Sequence, residues 1–161
     1  MKKVILGATG SIGSSLAKKL VDSGEQVHLV GRDEASLSEL ANELNSTFTT
    51  CDVLEENFSE KIINDLKDEQ VNGLAYCVGS IDLKPLKLTK KSDFMQSFNL
   101  NLVSATEIIK SLADNLKASK GSIVLFSTVA VQQGFPNHAI VSSAKGLSLI
   151  HISEPTRLPG I

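Results

Sequence analysis

The chain has 161 residues and a formal charge of −2, long enough for one domain with a buried core and without the positive field that attracts nucleic acid or an anionic membrane surface. No apolar run is long enough to span a bilayer, and the run Val4-Ile5-Leu6 after Lys2-Lys3 stops at Gly7, too short for the apolar region of a signal peptide. Cys51 and Cys77 stand far apart, and His, Cys and carboxylates do not cluster, so the sequence points to reduced, buried thiols in a cytoplasmic protein and to no metal site.

In chain order, Lys3 to Leu6 reads as a short buried strand closed by Gly7. Ile12, Leu16 and Leu20 follow at helical spacing, and Gly24 ends that helix. Gln26 to Val30 is a second strand, and Leu37, Leu40, Ala41 and Leu44 mark a second helix. Thr47 to Cys51 is a third strand, followed by a helix through Phe58, Ile62, Ile63 and Leu66. Gly73 to Val78 is a fourth strand, stopping at Gly79. Residues 92–118 form one or two helices with Val103, Ile108, Ile109, Leu112 and Leu116 on the apolar side. Ser122 to Phe126 is a fifth strand, and a last helix runs from Ala139 to Ile150. This alternation predicts an α/β fold: a doubly wound parallel sheet with helices on both faces.

The stretch GATGSIG, Gly7 to Gly13, lies between the first strand and the first helix. A pyrophosphate needs close backbone approach, free N–H groups and the positive end of a helix. Gly7 permits the tight turn, Gly10 clears the approach, and Gly13 lets the helix pack close to the sheet. The spacing is G-x-x-G-x-x-G rather than the commoner G-x-G-x-x-G. Gly7, Thr9, Gly10, Ser11, Ile12 and Gly13 are therefore candidate nucleotide-binding residues.

From Met1 to about Gly146 the chain resembles the short-chain dehydrogenase/reductase family. GATGSIG looks like that family's phosphate loop. Cys51-Asp52-Val53 looks like its adenine-ring element, with Asp52 accepting from the exocyclic amine. Ala75 to Gly79, AYCVG, stands where classical members carry Asn-Asn-Ala-Gly, and Gly79 alone is kept. Asn99 to Leu102, NLNL, resembles the segment holding the family's structural and proton-relay asparagine, which places that role on Asn101. The resemblance implies a Rossmann fold, an NAD(P) cofactor and hydride transfer with a small carbonyl or alcohol substrate. After the second strand comes Gly31-Arg32-Asp33. An acidic group there suits NAD, whereas Arg32 offers a forked cation for a 2′-phosphate. NADP is favoured over NAD, with Asp33 as a competitor and a solvated Arg32 as the plain alternative.

The family's chemistry uses Ser, Tyr and Lys, with the Tyr four residues before the Lys. Here Lys145 fits the lysine that holds the nicotinamide ribose, and Thr128, beside Ser127, falls at the hydroxyl that polarises the substrate oxygen. Four residues before Lys145 stands Val141, which cannot transfer a proton. The single tyrosine, Tyr76, lies on the fourth strand. His138 is the first choice for a replacement acid/base, ahead of Ser142 and Ser143. Two readings remain open: an oxidoreductase with a non-standard proton donor, and a nucleotide-binding pseudoenzyme. Substrate identity is not legible, including in the loop from Ser80 to Lys91. A homo-oligomer through residues 92–118 fits the resemblance, although packing on the sheet explains the same apolar positions.

Leu147 to Arg157, LSLIHISEPTR, resembles the in-frame translation of a transposase adapter used in DNA sequencing libraries. The expectation is an incomplete nucleotide-binding domain over residues 1–146, joined to an artefactual tail over 147–161 and lacking the family's substrate-covering segment.

Overall fold

The computed structural model describes residues 1–67 and 69–151. Its elements are β1 (Lys2–Leu6), α1 (Ser11–Asp22), β2 (Gln26–Gly31), α2 (Glu34–Glu43), β3 (Thr47–Thr50), α3 (Phe58–Leu66), β4 (Val71–Tyr76), α4 (Lys91–Phe98), α5 (Ser104–Ala118), β5 (Ser122–Leu125) and α6 (Ala139–His151). Short 3₁₀ turns occupy Leu86–Leu88 and Val129–Val131, and a π turn, Asn99–Val103, joins α4 to α5. The five strands form one sheet in the order β3-β2-β1-β4-β5. The pairings of β1 with β2 and β4, and of β2 with β3, are parallel. The expected α/β sheet is present. The expected tail begins inside α6, and its residues 152–161 lie outside the described residues.

Two compact units divide the chain: residues 1–78 with 107–124, and residues 79–106 with the chain from Leu125 onward. The first carries the sheet. Ile5, Val27, Leu29 and Ala75 point to one face, where they pack with Leu37, Leu40 and Ala41 of α2 and Ala17 of α1. Side chains alternate along a strand, so Val4, Leu6, His28, Val30, Leu74 and Tyr76 face the other way. They too are buried, at 0–2 % exposure, so both faces are covered. Buried strands of a parallel sheet read as near-continuous apolar runs, which is why Val4-Ile5-Leu6 is legible as a buried strand.

In the second unit, α4 begins with the Lys90 N–H donating to Asp93 Oδ2 at 2.9 Å. Lys84 binds Asp93 at 3.1 Å and Asp82 at 3.2 Å, and these contacts hold the Asp93 carboxyl below its usual range, the Lys90 backbone bond contributing most. Val103 departs from expectation. It ends the π turn and is 43 % exposed, whereas Asn101 and Ala105, two residues to either side and so on the opposite helix face, are buried.

Strand β5 closes one edge of the sheet, with no strand on its outer side among the described residues. Val124 there is 45 % exposed. An apolar, β-branched edge with unpaired N–H and C=O groups recruits further strands. The 161-residue chain is therefore expected to self-associate, and Val124→Lys to shift it toward monomer. Light scattering coupled to size-exclusion chromatography reads the difference, and a monodisperse unmodified monomer would remove β5 as the cause.

Candidate functional site

In the first unit the β1–α1 connection is a tight, glycine-rich turn. Gly7 has φ +75°, in the left-handed region, and a Cβ there would lie 3.0 Å from the Cys77 carbonyl carbon and oxygen. The Gly7 and Ala8 N–H groups donate to Val30 O at 2.9 and 3.0 Å, and Gly10 N–H donates to Gly7 O at 3.0 Å, which fixes the loop against β2. A Cβ on Gly13 would lie 2.2 Å from Gly7 O and 2.9 Å from Ala8 Cα. The close approach at Gly13 is thus between α1 and its own loop, not between α1 and the sheet as its sequence position suggests. Helix α1 starts at Gly10 without a side-chain cap, so its first-turn N–H groups have no intrahelical acceptor. Thr9, Gly10, Ser11 and Ile12 are all exposed around that end.

Arg32 and Asp33 follow β2. The Asp33 carboxylate is occupied: Oδ1 accepts from Ser36 N–H at 2.8 Å and caps α2. Bonds from the Ser36 side chain and backbone hold it below its ordinary range. The Arg32 side chain is 76 % exposed, with Nη1 3.6 Å from Asp52 Oδ2. Asp52 Oδ1 accepts from Leu54 N–H at 3.0 Å, Val53 is buried, and Cys51 N–H donates to Gly31 O at 2.9 Å. Burial, with Glu55 nearby, pushes the Cys51 thiol up to about 11, so it stays protonated and unreactive at neutral pH. Cys77, expected to be buried, is half-buried, and neither cysteine is in a disulfide.

The second unit gathers Gly79, Asn101 and Lys145. A Cβ on Gly79 would lie 3.2 Å from both Asn101 Oδ1 and Lys145 Nζ. Asn101 is held by Nδ2 donating to Ser97 O at 2.9 Å, and its buried Oδ1 has no hydrogen-bond partner. Its carbonyl accepts from Ser148 Oγ at 2.8 Å, a contact the sequence does not announce. Thr128 Oγ1 accepts from Ala130 N–H at 3.3 Å, which leaves its own proton available to donate. His138 Nδ1 lies 2.7 Å from Pro136 O. A carbonyl only accepts, so Nδ1 carries the proton and Nε2 the lone pair in the neutral ring. Ser142 and Ser143 donate to His138 O and Ala139 O at 2.8 and 2.7 Å, so both hydroxyls are spent on their own helix. Val141 is 2 % exposed. Tyr76 is likewise buried, on β4 of the first unit. Among the described residues no group of three or more His, Cys, Asp or Glu could hold a metal ion, and no helix is long and apolar enough to cross a membrane.

Residues 2–153 match the family described as short chain dehydrogenase. L-fucose dehydrogenase of Oryctolagus cuniculus is 30% identical over 158 residues, which cover 91% of this chain and 56% of that protein. Inactive hydroxysteroid dehydrogenase-like protein 1 of Homo sapiens is 27% identical, with 94% of this chain and 48% of that one covered. L-sorbose reductase from Gluconobacter frateurii, solved with NADPH and L-sorbose, superimposes with a TM-score of 0.86 at 17% identity, over 92% of this chain and 60% of that one. The chain spans about half the length of the curated relatives it matches. A family match over nearly its whole length, on a five-stranded sheet with a glycine-rich first turn, makes the chain a member of the short-chain dehydrogenase family.

Proposed function

We propose that the chain is the NADP-binding part of an oxidoreductase that moves a hydride between nicotinamide and a small carbonyl or alcohol. The observation that carries this reading is Asn101 Oδ1, buried and without a partner beside Lys145 Nζ, both against the bare Cα of Gly79. A buried amide oxygen left unpaired costs stability unless something completes it. The turn at Gly7, Gly10 and Gly13 leaves a pyrophosphate room to approach the N-terminus of α1, which has no side-chain cap. Gly7 to Gly13 would hold the pyrophosphate, Arg32 the 2′-phosphate, Asp52 and Val53 the adenine, and Lys145 the nicotinamide ribose. The nicotinamide supplies the hydride. Thr128 donates its proton to polarise the substrate oxygen, and His138 exchanges the proton at Nε2. His138 stands immediately before α6, seven residues ahead of Lys145. Helices 92–118, with Met95 51 % and Val103 43 % exposed, are a self-association face under this reading.

Preference between the two nicotinamide cofactors rests on Arg32. With Asp33 committed to its cap, no carboxylate at the end of β2 competes for the ribose hydroxyls. NADPH is expected to bind more tightly than NADH. Arg32→Ala should remove roughly tenfold of that gap, the worth of one charge-assisted contact. Equal affinities by calorimetry, unchanged in the variant, would take Arg32 out of the site.

A second reading is favoured by Val141. An apolar, buried side chain stands where the resemblance puts the acid/base, as expected of a pseudoenzyme that binds nucleotide without turnover. NADPH oxidation followed spectroscopically with a panel of aldehydes, ketones and keto-sugars separates the two. The oxidoreductase reading expects turnover that falls roughly 10²–10⁴-fold in His138→Ala. Tight NADPH binding with no turnover would establish the pseudoenzyme, and turnover indifferent to His138→Ala would remove that residue from the chemistry.

A further inference from the structure

His28 is buried to 0 % exposure in the first unit, and both its ring nitrogens are engaged. Nδ1 lies 2.8 Å from Thr47 Oγ1 and Nε2 lies 2.9 Å from Thr49 Oγ1. Thr49 Oγ1 donates to Asp65 Oδ2 at 2.6 Å, and Lys2 Nζ donates to Thr47 Oγ1 at 3.0 Å. Donor counting fixes every proton in this row. A carboxylate only accepts, so the single Thr49 proton goes to Asp65. Thr49 must then accept from His28, which puts the ring proton on Nε2. Nδ1 holds the lone pair and accepts from Thr47, and Thr47 accepts from Lys2, which only donates. Every bond points the same way, from the β1 cation through the buried ring to the α3 carboxylate.

The row spans what most needs support. Strand β3 is four residues long and stands at a sheet edge. The residues it turns toward α3 are Thr47 and Thr49 rather than aliphatic side chains. Its register, His28 against Thr47 and Val30 against Thr49, is the one the side-chain row also enforces. Directly after it come Cys51, Asp52 and Val53.

We propose that Lys2, Thr47, His28, Thr49 and Asp65 form a one-way hydrogen-bond chain that fixes edge strand β3 and, through it, the Cys51–Val53 element, making His28 and Thr49 positioning residues for the adenine end of the cofactor. The last clause rests on the cofactor reading given above; the clamp itself does not. The charged groups facing His28 are Lys2 from β1, Asp65 from α3 and Glu69 after it. Lys2 is also paired with Glu69 at 3.3 Å. Protonating the ring would add a donor toward Thr47 and a cation beside Lys2, so the row exists only with His28 neutral.

The test uses the 161-residue chain with ¹⁵N-labelled histidine, together with Thr49→Val, which keeps the shape and removes both of its bonds, and Thr49→Ser, which restores them. Long-range ¹⁵N–¹H spectra should show His28 neutral with the proton on Nε2 at pH 7. Thr49→Val should speed amide exchange in β3 at least tenfold and weaken NADPH binding at least fivefold by calorimetry, while Thr49→Ser keeps both near the parent values. A proton on Nδ1, or β3 exchange unchanged in Thr49→Val, overturns the clamp. Faster β3 exchange with unchanged NADPH affinity overturns the positioning role. Absence of NADPH binding in the unmodified chain overturns the cofactor reading and the positioning role with it, while the tautomer and the exchange rates still decide the clamp.

Discussion

Gly13→Val will fail to bind NADPH and will be markedly less stable than the parent. The Cβ alone would lie 2.2 Å from Gly7 O and 2.9 Å from the Gly7 carbonyl carbon and Ala8 Cα. All three are backbone atoms, so no rotamer change relieves the overlap. Relief requires either lifting α1 off the loop or opening the turn at Gly7, where the bonds to Val30 are made. Overpacking of this kind costs roughly 1–3 kcal/mol and more when backbone must move. That is a large share of the 5–15 kcal/mol of a typical domain. Gly10→Ala is the control: its Cβ would meet only Gly7 O, at 3.3 Å. Urea unfolding should separate the two by roughly ten- to a hundredfold in folding equilibrium, and calorimetry should find NADPH binding only in the control. A Gly13→Val variant with the parent's midpoint would mean that the loop is plastic.

Acid will destabilise the fold through one buried imidazole. Burial, with Lys2 adding to it, lowers His28 from 6.5 to about 4. The unfolded chain takes up a proton below 6.5 that the folded chain refuses until about 4. The contribution is therefore complete above 6.5, shrinks as pH falls through that window, and is gone below about 4. Its full size is about 3 kcal/mol. Urea midpoints at pH 7 and 4.5 measure it. His28→Gln keeps a donor and an acceptor without the titration. It should be less stable at pH 7 but lose less between the two pH values. Parallel losses in parent and variant would assign the acid sensitivity to carboxylates instead.

The parts of this molecule written in local pattern were legible in the sequence. Val4-Ile5-Leu6 declares a buried strand through its run of aliphatics, and Gly7, Gly10 and Gly13 declare a turn opening a helix, because period and turn chemistry are properties of neighbours. What failed to show was non-local or one residue out of phase. The row through Lys2, His28, Thr47, Thr49 and Asp65 joins five residues from four elements, and nothing in the spacing of its members along the chain brings them together. The π turn at Asn99–Val103 adds a residue to the helical repeat, so Val103, apolar-side in a regular helical period, sits outward. Asp33 stands where an acidic residue can compete for the cofactor ribose, yet Asp-x-x-Ser before a helix is also a capping arrangement. The cap is what forms. Of the candidate site, Gly79, Asn101 and Lys145 each stand in a separate local motif, and only the fold brings them together.

The strand order shapes how the protein is made. β1 is synthesised first but sits between β2 and β4. Once residues 1–50 have left the ribosome, β1, β2 and β3 can pair, and Val4, Ile5 and Leu6 then present one open edge. The strand that fills it begins at Val71. At roughly 5–20 residues per second, β1 waits about one to five seconds with the backbone groups of that edge unpaired. Slow codons or a stall within α3 would lengthen that exposure, so a chaperone that shields nascent β-strand edges would act on this chain before β4 emerges rather than after release.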